Sequence, residues 1–316
     1  MTRPTQLMAA AASSRDAPCL ASRVFMSDSP EKSNGGTTET AFGWPRNFSD
    51  NRFVYAVISP RARGLSIGVN MNPDRFCNFD CVYCEVDRTL PVLNLKLDLN
   101  MMAEELDKTL FLVRSGKIRE HAAYRGLSED LLQLHHVALS GDGEPTHCPN
   151  FVEAVQTVVH MRARPPHSFF KLALVTNGTG LDLPPVQEGL RYFTSDDEIW
   201  IKLDAGTPAY MDRINRSQVP LEKVVANTLL VGRKRPIIIQ SLFPLFLDQE
   251  PPPGEIDAYI LQLGKLKSEG ARIALVQVYS ATRPMAHSDC GHLRLKALSQ
   301  ISQRIKAETG LRAEVF

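Results

Sequence analysis

The sequence predicts an α/β protein, built either as a partial (β/α)6 TIM-like barrel or as an open α/β sheet. From residue 52 onward, short apolar runs rich in Val and Ile alternate with longer segments of helical pattern. Strands that alternate with helices are typical of parallel β/α units. Of the 316 residues, 43% are hydrophobic and 22% are charged, which is ordinary for a globular protein. A chain of this size buries a large core without a metal, so any metal site is expected to be functional.

Six strands and five helices follow from this alternation. The strands are predicted near Leu65–Met71, His136–Ser140, Leu172–Thr176, Ile199–Asp204, Ile237–Leu242 and Ile273–Tyr279. The helices are predicted at Met101–Ser115, Asn150–Arg162, Leu221–Val231 and Glu255–Ser268, and around Leu293–Thr309. Six units in residues 52–316 form one domain, in which the last helix is a short C-terminal helical extension.

Residues 1–45 are rich in Ala, Ser, Thr, Pro and Gly and have no apolar periodicity, which predicts a disordered N-terminal segment. The first 25 residues contain Arg3, Arg15 and Arg23 but only one acid, Asp16. This pattern is that of an organelle targeting segment. The alternative is that translation starts at Met26.

The charge balance gives no general attraction to nucleic acid or to an anionic membrane, since 36 basic and 35 acidic residues leave a net charge of +1. No apolar run approaches the roughly 20 residues that a membrane span requires. Three of the six cysteines lie within eight residues, which indicates metal ligation in a reducing compartment rather than a disulfide framework. We therefore expect a cytoplasmic protein.

Polar residues near the predicted strand ends mark a site inside the barrel. Alternation along the fourth strand places Lys202 and Asp204 on one face, and Gln277 and Tyr279 share a face of the sixth. Barrels of β/α units carry their chemistry at the carboxyl ends of the strands. The alternative for Lys202 is an internal ion pair with Asp204 or another acid.

The three clustered cysteines are Cys77, Cys81 and Cys84, in the pattern C-x3-C-x2-C directly after the first predicted strand. Three thiolates on one loop hold three irons of a [4Fe-4S] cubane and leave the fourth open, whereas electron-transfer clusters use four cysteines. An open position on a metal is where a substrate or cofactor binds. The alternatives are a zinc site completed by a histidine, reactive thiols, or ordinary core residues.

With the aromatic Tyr83 before its last cysteine, this motif resembles the signature of the radical SAM superfamily. The resemblance extends from about Arg63 to the end of the sixth strand. It implies a partial barrel of the radical SAM type, with Cys77, Cys81 and Cys84 as cluster ligands and Tyr83 beside the cofactor. It also implies that the open iron binds S-adenosylmethionine, which is cleaved reductively to a 5′-deoxyadenosyl radical that abstracts hydrogen from a substrate. No catalytic residue of this chain is assigned.

Two further motifs follow the second and third predicted strands. The run Ser140–Thr146, with sequence SGDGEPT, resembles the superfamily's glycine-glycine-glutamate motif, which implies that Gly143 and Glu144 receive the methionyl ammonium. The alternative is a simple strand-to-helix turn. Asn177, in Thr-Asn-Gly, is a candidate for bonding the ribose or carboxylate of S-adenosylmethionine, and the alternative is again a turn.

A narrower resemblance, to the subgroup that includes the wyosine tRNA-base synthases, is carried by Arg63–Asn70, by Gly143–Thr146, and by Leu203–Gly206 followed by Arg213–Arg216. It makes Asp204 and Asn215 candidates for the cofactor or substrate pocket. Those synthases carry a second cluster on upstream cysteines, and here only Cys19 lies upstream. The chain is therefore expected to hold one cluster and not to synthesise wyosine.

Two further cysteines, Cys148 and Cys290, are too few for an additional cluster. Cys148 is expected to pack in the core, and Cys290, beside His287 and His292, is expected in a surface loop.

The leading hypothesis is a single-cluster radical SAM enzyme, and the alternative is an iron–sulfur electron carrier or a zinc-stabilised binding protein. The substrate stays open between a tRNA base, a peptide and a small metabolite. The expected protein partner is a one-electron donor of the flavodoxin or ferredoxin type.

Overall fold

Eight strands form the main sheet in the computed structural model, which describes residues 41–42, 48–87, 94–165, 169–282, 285 and 288–316. The strands are β1 (Val54–Ser59), β2 (Gly64–Asn70), β3 (Leu134–Ser140), β4 (Lys171–Thr176), β5 (Glu198–Lys202), β6 (Ile237–Leu242), β8 (Ile273–Tyr279) and β10 (Ala313–Val315). Their order across the sheet is β1-β2-β3-β4-β5-β6-β8-β10. Every neighbouring pair from β2 onward is parallel, and β1 is antiparallel to β2. Two short strands, β7 (Pro244–Phe246) and β9 (Cys290–His292), form a separate antiparallel pair.

Seven α-helices connect these strands across the described ranges. They are α1 (Leu99–Arg114), α2 (Phe151–Arg162), α3 (Pro184–Gly189), α4 (Pro208–Ile214), α5 (Leu221–Lys234), α6 (Pro253–Ser268) and α7 (Leu295–Thr309). Several begin at signals that the sequence carries: Asp98 caps α1 by accepting bonds from Asn100 N and Met101 N, and Thr207 caps α4. The partial (β/α) barrel predicted from the sequence is thereby confirmed.

The two faces of the sheet differ in composition. One face is aliphatic and packs against the helices; its residues, all at most 1% exposed, include Ile67, Val69, Val137, Leu139, Leu172, Leu174, Ile199, Ile201, Ile239, Val276 and Val278. The alternate positions face the barrel interior, and several are small or polar, among them Ser66, Ala138, Lys202 and Gln240. Part of this face forms a small apolar cluster around Trp200, and the rest surrounds a cavity, because small residues leave space and polar residues need partners.

The turn between β1 and β2 reaches the opposite edge of the open barrel. Arg63 N donates to Pro60 O at 3.0 Å, which closes this tight turn. The backbone oxygen of Arg61 accepts a bond from Gln277 Nε2 in β8 at 3.4 Å, and the Arg63 guanidinium forms an ion pair with Glu314 in β10. The first and last parts of the described chain therefore meet at this seam.

The structure corrects several sequence predictions. Neither β1 nor β10 was predicted; α7 packs on α6 and leads into β10, which pairs with β8. β5 ends at Lys202 and not at Asp204. Cys290 lies in β9 and is 6% exposed, so its assignment to a surface loop is wrong. β9 and β10 have three residues each, too few to show a periodic pattern. The predicted disordered segment 1–45 lies outside the described residues, apart from 41–42.

Candidate active site

A cavity of about 300 Å³ occupies the barrel interior and opens at the carboxyl ends of the strands. All three clustered cysteines line it, together with Tyr83. Five more of its lining residues were singled out in the sequence: Gly143, Glu144, Asn177, Lys202 and Tyr279. The structure thus brings residues from the ends of β2, β3, β4 and β5 around one space.

The cysteine loop, Phe76–Cys84, is held from two sides by backbone hydrogen bonds. On one side, Asp80 N donates to Asn215 O at 3.0 Å and Val82 N to Ile214 O at 2.9 Å, which fixes the loop to the end of α4. On the other side, Glu144 N donates to Phe76 O at 2.9 Å. A loop fixed in this way keeps its three thiols in place before any ligand binds.

The glycine loop, Gly141–Glu144, packs against the start of the cysteine loop. A Cβ built on Gly143 would lie 2.6 Å from Asn72 Cβ and closer still to the carbonyl oxygen of Phe76. Gly141 has a φ of 146°, a conformation that side-chain-bearing residues avoid. The two glycines are therefore required where the glycine loop packs against the end of β2 and the start of the cysteine loop.

The Glu144 carboxylate is buried and already bonded within the protein. Its Oε1 accepts bonds from Thr146 N at 3.1 Å, Thr146 Oγ1 at 2.7 Å and Thr176 Oγ1 at 2.5 Å. Its Oε2 accepts from Asn177 N at 2.7 Å. These contacts tie the end of β3 to the end of β4, so Glu144 acts first as a positioning residue for both loops.

A second set of polar contacts lies behind Cys77. Asn177 Nδ2 donates to Asn78 Oδ1 at 2.8 Å and points at Cys77 Sγ from 3.9 Å. Asn177 Oδ1 accepts from Thr179 N at 3.0 Å, with Gly178 at a φ of 81°, so the predicted turn is present. The side chain nevertheless lines the cavity, and the two alternatives for Asn177 are therefore compatible.

A third set of contacts joins Tyr83, Asp204 and Asn215 beneath Cys81. The Tyr83 hydroxyl donates to Asp204 Oδ2, and Asp204 Oδ1 accepts from Leu242 N at 2.8 Å. Asn215 Nδ2 lies 2.9 Å from Asp204 Oδ2, 2.9 Å from the Tyr83 oxygen and 3.4 Å from Cys81 Sγ. Asp204, 3% exposed, therefore supports Tyr83 and Cys81 from behind and is not among the residues that line the cavity.

Lys202 connects this network to the cavity. Its Nζ lies 3.9 Å from Asp204 Oδ2 and 4.8 Å from the centre of the Tyr83 ring. The internal ion pair considered for Lys202 is thus present, and the side chain also lines the cavity. Burial lowers the pKa of Lys202, but the nearby Asp204, Tyr279 and Cys81 outweigh burial and raise it above its usual value. Lys202 is therefore cationic at neutral pH.

The electrostatics at Cys81 fit a thiolate that is held by a metal. Burial raises the pKa of Cys81 to about 11, and burial together with Asp204 raises the pKa of Tyr83. A thiol with such a pKa loses its proton when a cation takes it as a ligand. The Asn215 amide and the Lys202 ammonium then face the sulfur with positive ends, as a negatively charged ligand requires.

In the part of the chain that the structure describes, no group of three or more His, Cys, Asp or Glu side chains converges on a single metal position. Cys77, Cys81 and Cys84 nevertheless line one cavity, and a cubane would take one thiolate at each of three different irons.

Sequence reasoning missed several residues of these networks. Thr146 and Thr176 lie within the quoted motifs, but only the structure shows that they bond Glu144. Asn78 and Thr179 are identified by their bonds to Asn177, and His147 by its contacts with Asn78 and Thr179. Cys148, predicted to pack in the core, is 5% exposed, and burial raises its pKa to about 12. His287, proposed as a neighbour of Cys290, lies outside the described residues.

Comparison with known proteins gives no match to a family model. The chain is similar to the UPF0026 protein of Helicobacter pylori, at 26% identity over 180 residues, which cover 57% of this chain and 50% of that protein. It is also similar to the UPF0026 protein of Synechocystis sp., at 28% identity over 181 residues, 57% of each chain. The chain spans about half the length of the curated relatives that it matches.

Two solved structures share the fold. One is TYW1 with a lysine–pyruvate adduct bound, with a TM-score of 0.52, 16% identity, and coverage of 78% of this chain and 74% of that one. The other is Streptococcus suis SuiB bound to S-adenosylmethionine, with a TM-score of 0.54, 10% identity, and coverage of 81% and 52%. The chain therefore shares its partial-barrel fold with TYW1 and SuiB.

Among the described residues, none of the helices combines the length and the apolar character that crossing a bilayer demands.

Proposed function

We propose that this protein is a radical SAM enzyme that holds one [4Fe-4S] cluster on Cys77, Cys81 and Cys84. One observation carries the proposal: the three cysteines and the glycine loop border the same cavity of a partial β/α barrel. Four cysteines would complete a cluster, whereas these three would hold three irons and leave the fourth without a ligand from the chain. The fold that the chain shares with SuiB, which was solved with S-adenosylmethionine bound, supports this cofactor.

The group that the residues would hold supplies an electron to S-adenosylmethionine, whose cleavage yields a 5′-deoxyadenosyl radical for hydrogen abstraction. The chain's own residues position and shield this chemistry. Gly143 allows the glycine loop to lie against the cysteine loop, and Glu144 fixes that loop to the end of β4. Tyr83, 7% exposed, forms one wall of the cavity with its hydroxyl held by Asp204. Enclosure in the barrel excludes water from a reactive radical.

The proposed cytoplasmic enzyme requires a one-electron donor of the flavodoxin or ferredoxin type. Cys77 and Cys84 are partly exposed, and Phe76 beside them is 43% exposed, so the cysteine loop is reachable from outside the barrel. The basic run Arg233–Arg235 does not support a tRNA substrate, because its side chains are bonded to other parts of the chain. Arg233 Nε donates to Glu269 O at 2.9 Å, Lys234 Nζ to Gln187 Oε1 at 2.7 Å and Arg235 Nη2 to Thr194 O at 2.7 Å.

The test is anaerobic reconstitution with iron and sulfide, followed by dithionite and S-adenosylmethionine. We expect about four irons per chain and the formation of 5′-deoxyadenosine. Cys81→Ala should lose both, because Cys81 lines the cavity and faces Asn215. Cys290→Ala is the matched control: it also removes a buried thiol, but Cys290 is not among the lining residues. Iron-loaded protein that makes no 5′-deoxyadenosine, or protein that binds one zinc per chain and no iron, contradicts the proposal.

A further inference from the structure

Two cationic side chains share the barrel cavity with the cysteines. Arg61, in the turn between β1 and β2, and Lys202, at the end of β5, both line it. The guanidinium carbon of Arg61 lies 4.2 Å from the centre of the Tyr279 ring, which also lines the cavity. The positive charge of Arg61 lowers the pKa of Lys202, against the groups that raise it, so the two cations lie near enough to repel each other.

The two cations differ in their partners. Lys202 lies 3.9 Å from Asp204. Within the described ranges Arg61 forms no ion pair with any carboxylate, although Arg63 in the same turn pairs with Glu314. The Glu144 carboxylate, the buried acid on the cavity wall, is occupied by Thr146, Thr176 and Asn177. Among the described residues, Arg61 is therefore the cavity-lining cation that forms no ion pair, although a second acid, Glu85, also lines the cavity.

The surroundings of Arg61 hold it in position for a ligand. Its ring contact with Tyr279 fixes one face of the planar guanidinium, and its backbone oxygen is bonded by Gln277 Nε2 at 3.4 Å. Gln277 is in turn held by Gln240 Nε2 at 3.0 Å. A stacked guanidinium presents its N–H groups as a fork that matches the two oxygens of a carboxylate or phosphate. Burying part of a guanidinium without an acidic partner costs free energy, and binding an anion lowers that cost.

We propose that Arg61, assisted by Lys202, binds an oxyanion of the substrate, so that the substrate class is a molecule carrying a carboxylate or a phosphate. This inference rests on the proposed function, because it places the substrate in the cavity that the cysteines border. The Arg61 turn precedes the amino end of β2, and the guanidinium extends from it to Tyr279, at the carboxyl end of β8. An anion that binds while S-adenosylmethionine is present is distinct from the carboxylate of that cofactor.

The test uses cluster-loaded protein with and without S-adenosylmethionine, at constant ionic strength. Inorganic phosphate and acetate are titrated separately by calorimetry into wild type, Arg61→Gln and Arg63→Gln. Both variants remove one positive charge from the same turn, but Arg63 has a side chain that is 60% exposed and lies outside the cavity lining. We expect Arg61→Gln to weaken the preferred anion at least tenfold, or about 1.4 kcal/mol, and Arg63→Gln to change it less than twofold. Tighter phosphate indicates a phosphoryl substrate, and tighter acetate indicates a carboxylic acid.

Three results overturn the inference: wild type binds neither anion, Arg61→Gln binds as wild type does, or S-adenosylmethionine abolishes anion binding. The last result assigns Arg61 to the cofactor's own carboxylate. The electron paramagnetic resonance spectrum of the reduced cluster separates this inference from the proposed function. If it responds to S-adenosylmethionine equally in wild type and Arg61→Gln, the proposed function holds whatever the anion titration shows. If wild type shows no response while anion binding depends on Arg61, the proposed function fails, and with it the assignment of the anion to a substrate, although the anion site itself stands.

Discussion

Replacing Gly143 with alanine tests whether the glycine loop positions the cysteine loop. The new Cβ would lie 2.6 Å from Asn72 Cβ and 2.8 Å from the carbonyl carbon of Phe76. Ordinary contacts begin near 3.4 Å. The positions of both atoms are fixed by the backbone of the segment before Cys77, and no side-chain rotation can relieve the overlap. The cysteine loop itself must therefore move, by about 1 Å.

The cost has two parts. Overpacking of this kind costs about 1–3 kcal/mol, and the hydrogen bond from Glu144 N to Phe76 O contributes about 1 kcal/mol more when lost. We therefore expect Gly143→Ala to lower the free energy of unfolding by about 3 kcal/mol and the melting temperature by roughly 5–10 °C. Iron content after reconstitution should fall as well, because the thiols are displaced.

The matched control is Gly126→Ala. Gly126 also lies in a turn, has no positive φ, and no atom lies within 4 Å of the Cβ that alanine would add. Its stability should stay within about 0.5 kcal/mol of wild type. Thermal unfolding followed by circular dichroism measures both variants without any cofactor. If Gly143→Ala melts at the same temperature as Gly126→Ala, the two loops do not pack as described and the argument is refuted.

Three further predictions concern other contacts. Asn215→Leu removes the amide that lies 3.4 Å from Cys81 Sγ. The reduction potential of the proposed cluster, measured by redox titration, should therefore fall by about 50 mV. An unchanged potential would show that this amide does not act on the sulfur. Burial lowers the pKa of His136 to about 4 in the folded protein, whereas the unfolded chain takes up this proton near pH 6.5. The free energy of unfolding, measured in urea, should therefore fall by about 2 kcal/mol between pH 7.5 and 5. The His136→Gln variant should lose less stability over the same range. Glu105 accepts bonds from the backbone N–H groups of residues 52, 53 and 54 at 2.8, 2.8 and 3.1 Å. Glu105→Gln should therefore lower the free energy of unfolding by about 1–3 kcal/mol in the same urea assay. Equal stability of the variant and wild type would mean that these bonds do not hold β1.

Local pattern was sufficient for the class of fold. The buried strands are apolar runs of five to seven residues, and the helices between them carry the spacing that packs one face on a sheet. Six predicted strands therefore agree with β2, β3, β4, β5, β6 and β8 to within about two residues. The same pattern could not find β10 or the pair β7 and β9, because three-residue strands form through pairing with a partner and not through their own periodicity.

The sequence by itself determined the three cysteines, their order on one loop, and the glycine loop that follows the next strand, because each is a contiguous motif. Only the tertiary structure decided what stands behind them. Asn215 reaches Cys81 from 134 residues away, and Asn177 approaches Cys77 from 100 residues away. It also turned Asp204 away from the cavity and Arg61 toward it. Those orientations depend on strand register and on how distant loops pack, which no local spacing encodes.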